Sequence, residues 1–177
     1  MTALTQFEPD QLQIVNQSVA MAEDVVSNHY KMSVNQWLRL RYDVKTLGDL
    51  VDDEIVDGPF AQVIRYEGKR RGSQLGSESY DFYKICLQDH AILDALQQRP
   101  TLDLGPFSLY IIAHELIHIV RFSRFLQSFD ATEEERLAEE ARVHARTHQV
   151  LRPLSLPGLD AVFDFYDQWR APLDRLS

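Results

Sequence analysis

The amino-acid sequence predicts an α+β fold that is mostly α, and three observations carry that expectation. Several segments repeat apolar residues every three or four positions, the spacing that lays one apolar stripe along a helix. Two runs in the middle of the chain are instead rich in aromatic and β-branched residues, as strands are. A long apolar segment beyond them carries His114-Glu115-Leu116-Ile117-His118, whose histidines fall on one face of a helix.

The first helix is expected from Pro9, a residue suited to the first helical position, to about Tyr30. Leu12, Val15, Val19, Ala22 and Val26 form its apolar face. Ser33 can cap a second helix bearing Trp37, Leu38 and Leu40, and Thr46 a short third one through Leu47, Leu50 and Val51. The strands are Phe60–Tyr66 and Tyr80–Leu87. Between them the polar stretch Glu67–Ser79 holds three glycines and reads as a hairpin loop, with Lys69-Arg70-Arg71 solvated near its tip.

From Asp103 the chain is helical again, opened by Gly105-Pro106 and apolar to about Phe129. Because it is apolar on nearly all sides, this helix is expected at the centre of the fold. Thr132 followed by Glu135 is a capping-box pattern that opens the next helix, which runs to about Leu151. Pro153 and Pro157 break the chain, and a last amphipathic segment covers about Leu159–Trp169. No repeat or linker divides the sequence. One domain over residues 1–177 is expected, with N-terminal helices in 1–57, a core in 58–152 and a C-terminal helix in 153–177.

Composition excludes several classes of function. With 18 basic against 27 acidic residues the net charge is −9, which repels both phosphate backbones and anionic lipid; neither nucleic acid nor a membrane is an expected partner. Cys86 is the single cysteine, so an intramolecular disulfide and a thiolate zinc site are both ruled out. Met1–Asp10 has neither a basic nor an apolar leader region, and the apolar stretch Phe107–Ala113 is too short to cross a bilayer. A soluble cytoplasmic protein is the resulting expectation. The oligomeric state is not legible.

The His114–His118 motif points to a metal. Two imidazoles four residues apart can reach one tetrahedral zinc ion, which here must use nitrogen and oxygen ligands. Glu115, one position along, is turned away from direct ligation but can reach a water on the metal and act as general base. The apolar setting strengthens the case, because polar side chains inside a buried helix need partners and a metal supplies one.

A site of this kind needs a third protein ligand. The extension HExxHxxGxxH is absent, since Arg121 and Arg124 stand where its glycine and histidine would be. The following helix offers Glu139, Glu140, His144 and His148. Projected at about 100° per residue, Leu137, Ala141, His144, His148 and Leu151 share a face with Glu140 close to its edge, whereas Glu139 points away with Arg142 and Arg146. Glu140 is therefore the expected ligand and Glu139 is expected in solvent. His144, one turn beyond Glu140, can orient a ligand, stabilise a developing oxyanion, bind the metal or sit hydrogen-bonded in the core. His148 reads as a core or interface residue.

In these residues the chain resembles the gluzincins, zinc peptidases with HExxH on one helix and a glutamate on a following one. His114-Glu-Leu-Ile-His118 matches their motif and Glu140 follows at a typical interval. His144 stands where several such families carry an aspartate. The stretch Glu139-Glu-Ala-Arg-Val-His-Ala145 also looks like the helix of ImmA/IrrE-type peptidases, which cleave repressors, although Ile117 and His144 differ from that family's glycine and aromatic residue. The resemblance covers roughly Phe60 to Leu151. It implies a zincin-like fold, with a small antiparallel sheet packed on the HExxH helix. It further implies a peptide or protein substrate held by an edge strand, for which Tyr83–Leu93 is the candidate.

The leading expectation is thus a Zn2+-dependent peptidase with His114, His118 and Glu140 as ligands, Glu115 as base and His144 in support. A second reading keeps the zinc and the fold but serves regulation or binding without proteolysis. A third comes from Glu115-x-x-His118, a signature of di-iron helical bundles; that architecture wants a second Glu-x-x-His, and Glu140 and His144 are four apart rather than three.

Overall fold

A computed structural model describes residues 3–69, 79–128 and 130–167. The fold is mostly helical with a small three-stranded mixed sheet. In chain order the elements are α1 (Pro9–His29), α2 (Val34–Leu38), β1 (Tyr42–Lys45), β2 (Ala61–Lys69), β3 (Ser79–Leu87), α3 (Asp89–Gln98), α4 (Leu104–Ser123), α5 (Glu133–Leu151) and α6 (Leu159–Tyr166).

The helix starts follow local chemistry. Pro9 opens α1, and the Gln11 side chain accepts from the Glu8 amide at 2.8 Å. Ser33 caps α2 in a reciprocal box: its hydroxyl accepts from Gln36 N at 3.2 Å while Gln36 Oε1 accepts from Ser33 N at 2.8 Å. Thr132 caps α5 by accepting from Glu135 N at 3.2 Å. At Thr46 the expectation was too long. Only a single 3-10 turn, Leu47–Asp49, forms there, and Val51 is exposed.

Helix α4 is the axis of the molecule. From Pro106 to Val120 every side chain except that of Glu115 is buried. Fully burying such Leu, Ile and Phe side chains contributes about 1.5–3 kcal/mol each, so this helix is held from all sides. Helix α1 lies against it through Val15, Ala22 and Val26. Their contact includes a buried polar seam in which Ser18 Oγ donates to Gly105 O at 2.9 Å and Ser108 Oγ donates to Ser18 Oγ at 2.9 Å. Helices α5 and α6 and the sheet pack on α4 as well. Gly158 precedes α6 at φ +88°, where an added Cβ would meet Asp103 Oδ2 and Pro106 Cγ at 3.0 Å, so glycine is required. Helix α6 is described to Tyr166; Trp169, expected as its end, lies outside the described residues, as do Arg70 and Arg71.

The sheet differs from the antiparallel pair expected. Its order is β1-β3-β2, with β3 in the centre. Strand β2 pairs antiparallel with β3 from Ala61↔Leu87 to Lys69↔Ser79, so the hairpin ladder extends further than the polar composition after Tyr66 implied. Strand β1 pairs parallel with β3, Tyr42↔Tyr83 through Lys45↔Cys86, which makes the sheet mixed and joins the N-terminal part of the chain to the core. Four residues lying between helical patterns gave too short an alternation to reveal it.

The proposed substrate-holding strand Tyr83–Leu93 is also corrected. Strand β3 stops at Leu87, and Asp89–Gln98 is helix α3. Two buried side chains enforce the break. Gln88 accepts from Val56 N at 3.0 Å and donates to Glu54 O and Cys86 O, while Asp89 accepts from Phe7 N and Leu47 N, both at 2.9 Å. Being central, β3 has no free edge; among the described residues β2 is the outer strand on that side.

The expected end of α4 near Phe129 is too late. The helix stops at Ser123, where Phe125 N donates to Phe122 O and Leu126 N to Arg121 O, the two bonds of a Schellman cap. Phe125 takes the left-handed position at φ +56° with its side chain 93% exposed. A phenylalanine there gives no signal of a stop, since glycine is the usual residue.

Candidate metal centre

Helix α4 presents His114 and His118 one turn apart, both buried, and α5 brings Glu140 against them. Glu140 Oε1 lies 2.6 Å from His114 Nε2 and Oε2 lies 3.1 Å from His118 Nε2; the two imidazole nitrogens are 3.2 Å apart. One donor atom from each residue falls within 4.8 Å of the others. The three side chains chosen from the sequence therefore converge.

Their chemistry suits a cation. Each can offer a lone pair toward the others, and among the described residues no lysine or arginine is paired with Glu140. Two ligands at about 2.0–2.1 Å from a tetrahedral zinc sit about 3.3–3.4 Å apart, close to the separation of the imidazole nitrogens. The His114–Glu140 contact is the shortest of the three, within hydrogen-bonding distance. His114 Nδ1 is buried without a hydrogen-bond partner among the described residues.

The electrostatics are those of a tight charged cluster. Burial alone would lower the His118 pKa, but the hydrogen bond to Glu140 and the charges of Glu115 and Glu140 outweigh it and raise the value to about 8. Burial of Glu140 acts to raise its pKa, yet hydrogen bonds from both histidines hold it far below the usual carboxylate range.

Glu115 is not among the converging donors but shares its surroundings with them. It is half-buried and stands between a 730 Å³ cleft and a 270 Å³ cavity, lining both. Burial raises its pKa, partly offset by the charges of His114 and His118. The larger cleft has Ala61 and Val63 of the outer strand β2 on one wall and α5 on the other. His118, Phe122 and Leu126 lie along it.

His144 sits beside the cluster but is not one of the converging donors. Its Nδ1 is 2.9 Å from Tyr110 Oη, its Nε2 is 3.6 Å from Glu140 Oε1, and its ring lies 4.2 Å from that of His114. Burial, then the charge of His114, lowers its pKa to about 3, so it is a neutral imidazole lining the smaller cavity with Tyr166. His148 packs its ring 4.3 Å from Phe163, away from the centre.

Glu139 is a correction. Expected in solvent, it is only 8% exposed and is held by Arg121 Nε and Nη2 and by Arg142 Nη1 at 2.6 Å. The projection centred the packed face one step off. Val143, Thr147, Val150 and Leu151 are buried, whereas Leu137 is 67% exposed. Arg121 on α4 supplies the counter-charge that lets a carboxylate enter this interface.

Two partners of the site were missed. Tyr110 lies one turn before His114, and its spacing was a usable signal. Gln127, whose Oε1 is 3.1 Å from His118 Nδ1, was hidden because its segment read as helix. In comparisons with known proteins, no family model matches the sequence, and neither a curated protein nor a solved structure matches the chain. No helix among the described residues is long and apolar enough to cross a membrane.

Proposed function

We propose that the chain is a zinc-dependent metallohydrolase of zincin type, a small peptidase, with His114, His118 and Glu140 as ligands. The observation that carries this reading is the convergence of three donor atoms within 4.8 Å beside an open cleft. When bound, zinc would lower the pKa of a water toward about 7 and polarise the scissile carbonyl.

The chain's own residues supply the rest. Glu115 carboxylate takes the proton of the attacking water and returns it to the amide nitrogen that leaves, which suits a carboxyl group with a raised pKa. His144, kept neutral by burial, stands beside Glu140 as a hydrogen-bonding group rather than a fourth ligand. Strand β2 takes over the substrate-holding role first given to Tyr83–Leu93. Its start borders the same cleft as Glu115 and His118, and a free strand edge can pair with an extended peptide backbone.

The di-iron reading lacks support, because a single cluster of three such ligands forms among the described residues. Peptide and unfolded-protein panels assayed with wild type and Glu115→Gln test the hydrolase directly. Turnover should fall roughly 100- to 10,000-fold in the variant, the usual worth of a general base. Equal turnover by both proteins, or none by either, contradicts the proposal.

A further inference from the structure

We propose that Gln127 is a positioning residue for the metal centre: its side-chain carbonyl accepts the Nδ1 proton of His118 and so holds the Nε2 lone pair on the point shared with His114 and Glu140. The inference rests on the metal reading above.

The argument begins with what an amide oxygen can do. Gln127 Oε1, 3.1 Å from His118 Nδ1, only accepts, so the ring nitrogen facing it must carry a proton. A neutral imidazole has one N–H, which leaves Nε2 as the lone-pair nitrogen. That is the tautomer a ligand through Nε2 requires, and the bond also fixes the plane of the ring. His114 has no equivalent support, since its Nδ1 finds no partner among the described residues.

The backbone explains how Gln127 reaches back nine residues. The Schellman cap at Arg121–Leu126 reverses the chain at the end of α4, at the cost of the left-handed Phe125. The next residue then lies over the last turns of the helix it has just left. Leu126, Gln127 and Ser128 also line the 730 Å³ cleft. The segment that orients a ligand is therefore also the rim of the proposed substrate site.

The test compares wild type with Gln127→Met, which keeps length but loses the acceptor, and Gln127→Glu, which keeps it. Zinc affinity is measured by chelator competition, the visible spectrum is recorded with Co2+, and the melting temperature is taken without metal. Gln127→Met should bind zinc about 10- to 100-fold more weakly, as loss of such a partner does, and shift the cobalt spectrum. Gln127→Glu should restore both, and all three metal-free proteins should melt alike. Zinc binding by Gln127→Met equal to wild type overturns the assignment, as does equal weakening in Gln127→Glu. Wild type that binds no zinc overturns the metal reading itself, and this assignment with it.

Discussion

Two glutamates organise polar clusters in this molecule, and they are finished in opposite ways. Glu54, just before β2, is 2% exposed and accepts from Lys84 Nζ at 2.8 and 3.1 Å, Tyr66 Oη at 2.7 Å and Val51 N at 3.0 Å. Every partner is a donor and one is a permanent cation, so the cluster is complete. Glu140 is about half exposed and, among the described residues, meets imidazole nitrogens. Those nitrogens give lone pairs as readily as protons. The first arrangement ties β2 and β3 to the loop that covers them. The second is open to a cleft and has room in its chemistry for a cation from outside.

The contrast can be broken from either side. Glu140→Ala should weaken zinc binding by more than about 100-fold, beyond what loss of a mere supporting residue costs, while the half-exposed position keeps the loss of melting temperature in the metal-free protein smaller than for the buried Glu54 cluster. Chelator competition beside thermal unfolding measures both. Retention of tight zinc would move the third ligand to His144.

Lys84→Met should do the reverse. It removes the charged donor from a buried carboxylate and should cost about 2–3 kcal/mol in denaturant unfolding, with zinc affinity unchanged.

The same cluster sets a pH dependence. Hydrogen bonds, first that from Lys84, lower the Glu54 pKa from 4.5 to about 2. A carboxylate depressed in the folded state adds stability that is complete above the unfolded value and is lost as pH falls toward the folded one. Melting temperature should therefore drop between pH 4.5 and about 2, and less steeply in Lys84→Met. Identical slopes would remove Glu54 from the account.

A smaller effect belongs to the turn beside the metal centre. Phe125→Gly relieves a left-handed φ of +56° at an exposed side chain and should stabilise the protein by about 0.5–1 kcal/mol. A loss of stability would mean that the exposed ring makes a contact worth more than the strain.

What could be read from the sequence followed the strength of local patterns. Helices α1, α4 and α5 begin where proline, threonine and apolar periodicity place them, and His114, His118 and Glu140 converge as their spacing implied. The failures have two causes, tertiary partners that the local pattern does not show and a helix cap built on an unusual residue. Strand β1 exists because β3 offers it an edge. Glu139 is buried because Arg121 on another helix meets it. Helix α4 stops at a phenylalanine in a conformation usually given to glycine, so Gln127 remained invisible as a partner of His118.

Metal content tests the central claim most directly. Protein purified without added chelator, loaded with zinc and desalted, is analysed for metals by mass spectrometry beside Glu140→Ala. One zinc per chain in wild type, lost in the variant, is the result expected from three converging donors. Two irons per chain, or no retained metal, would contradict it.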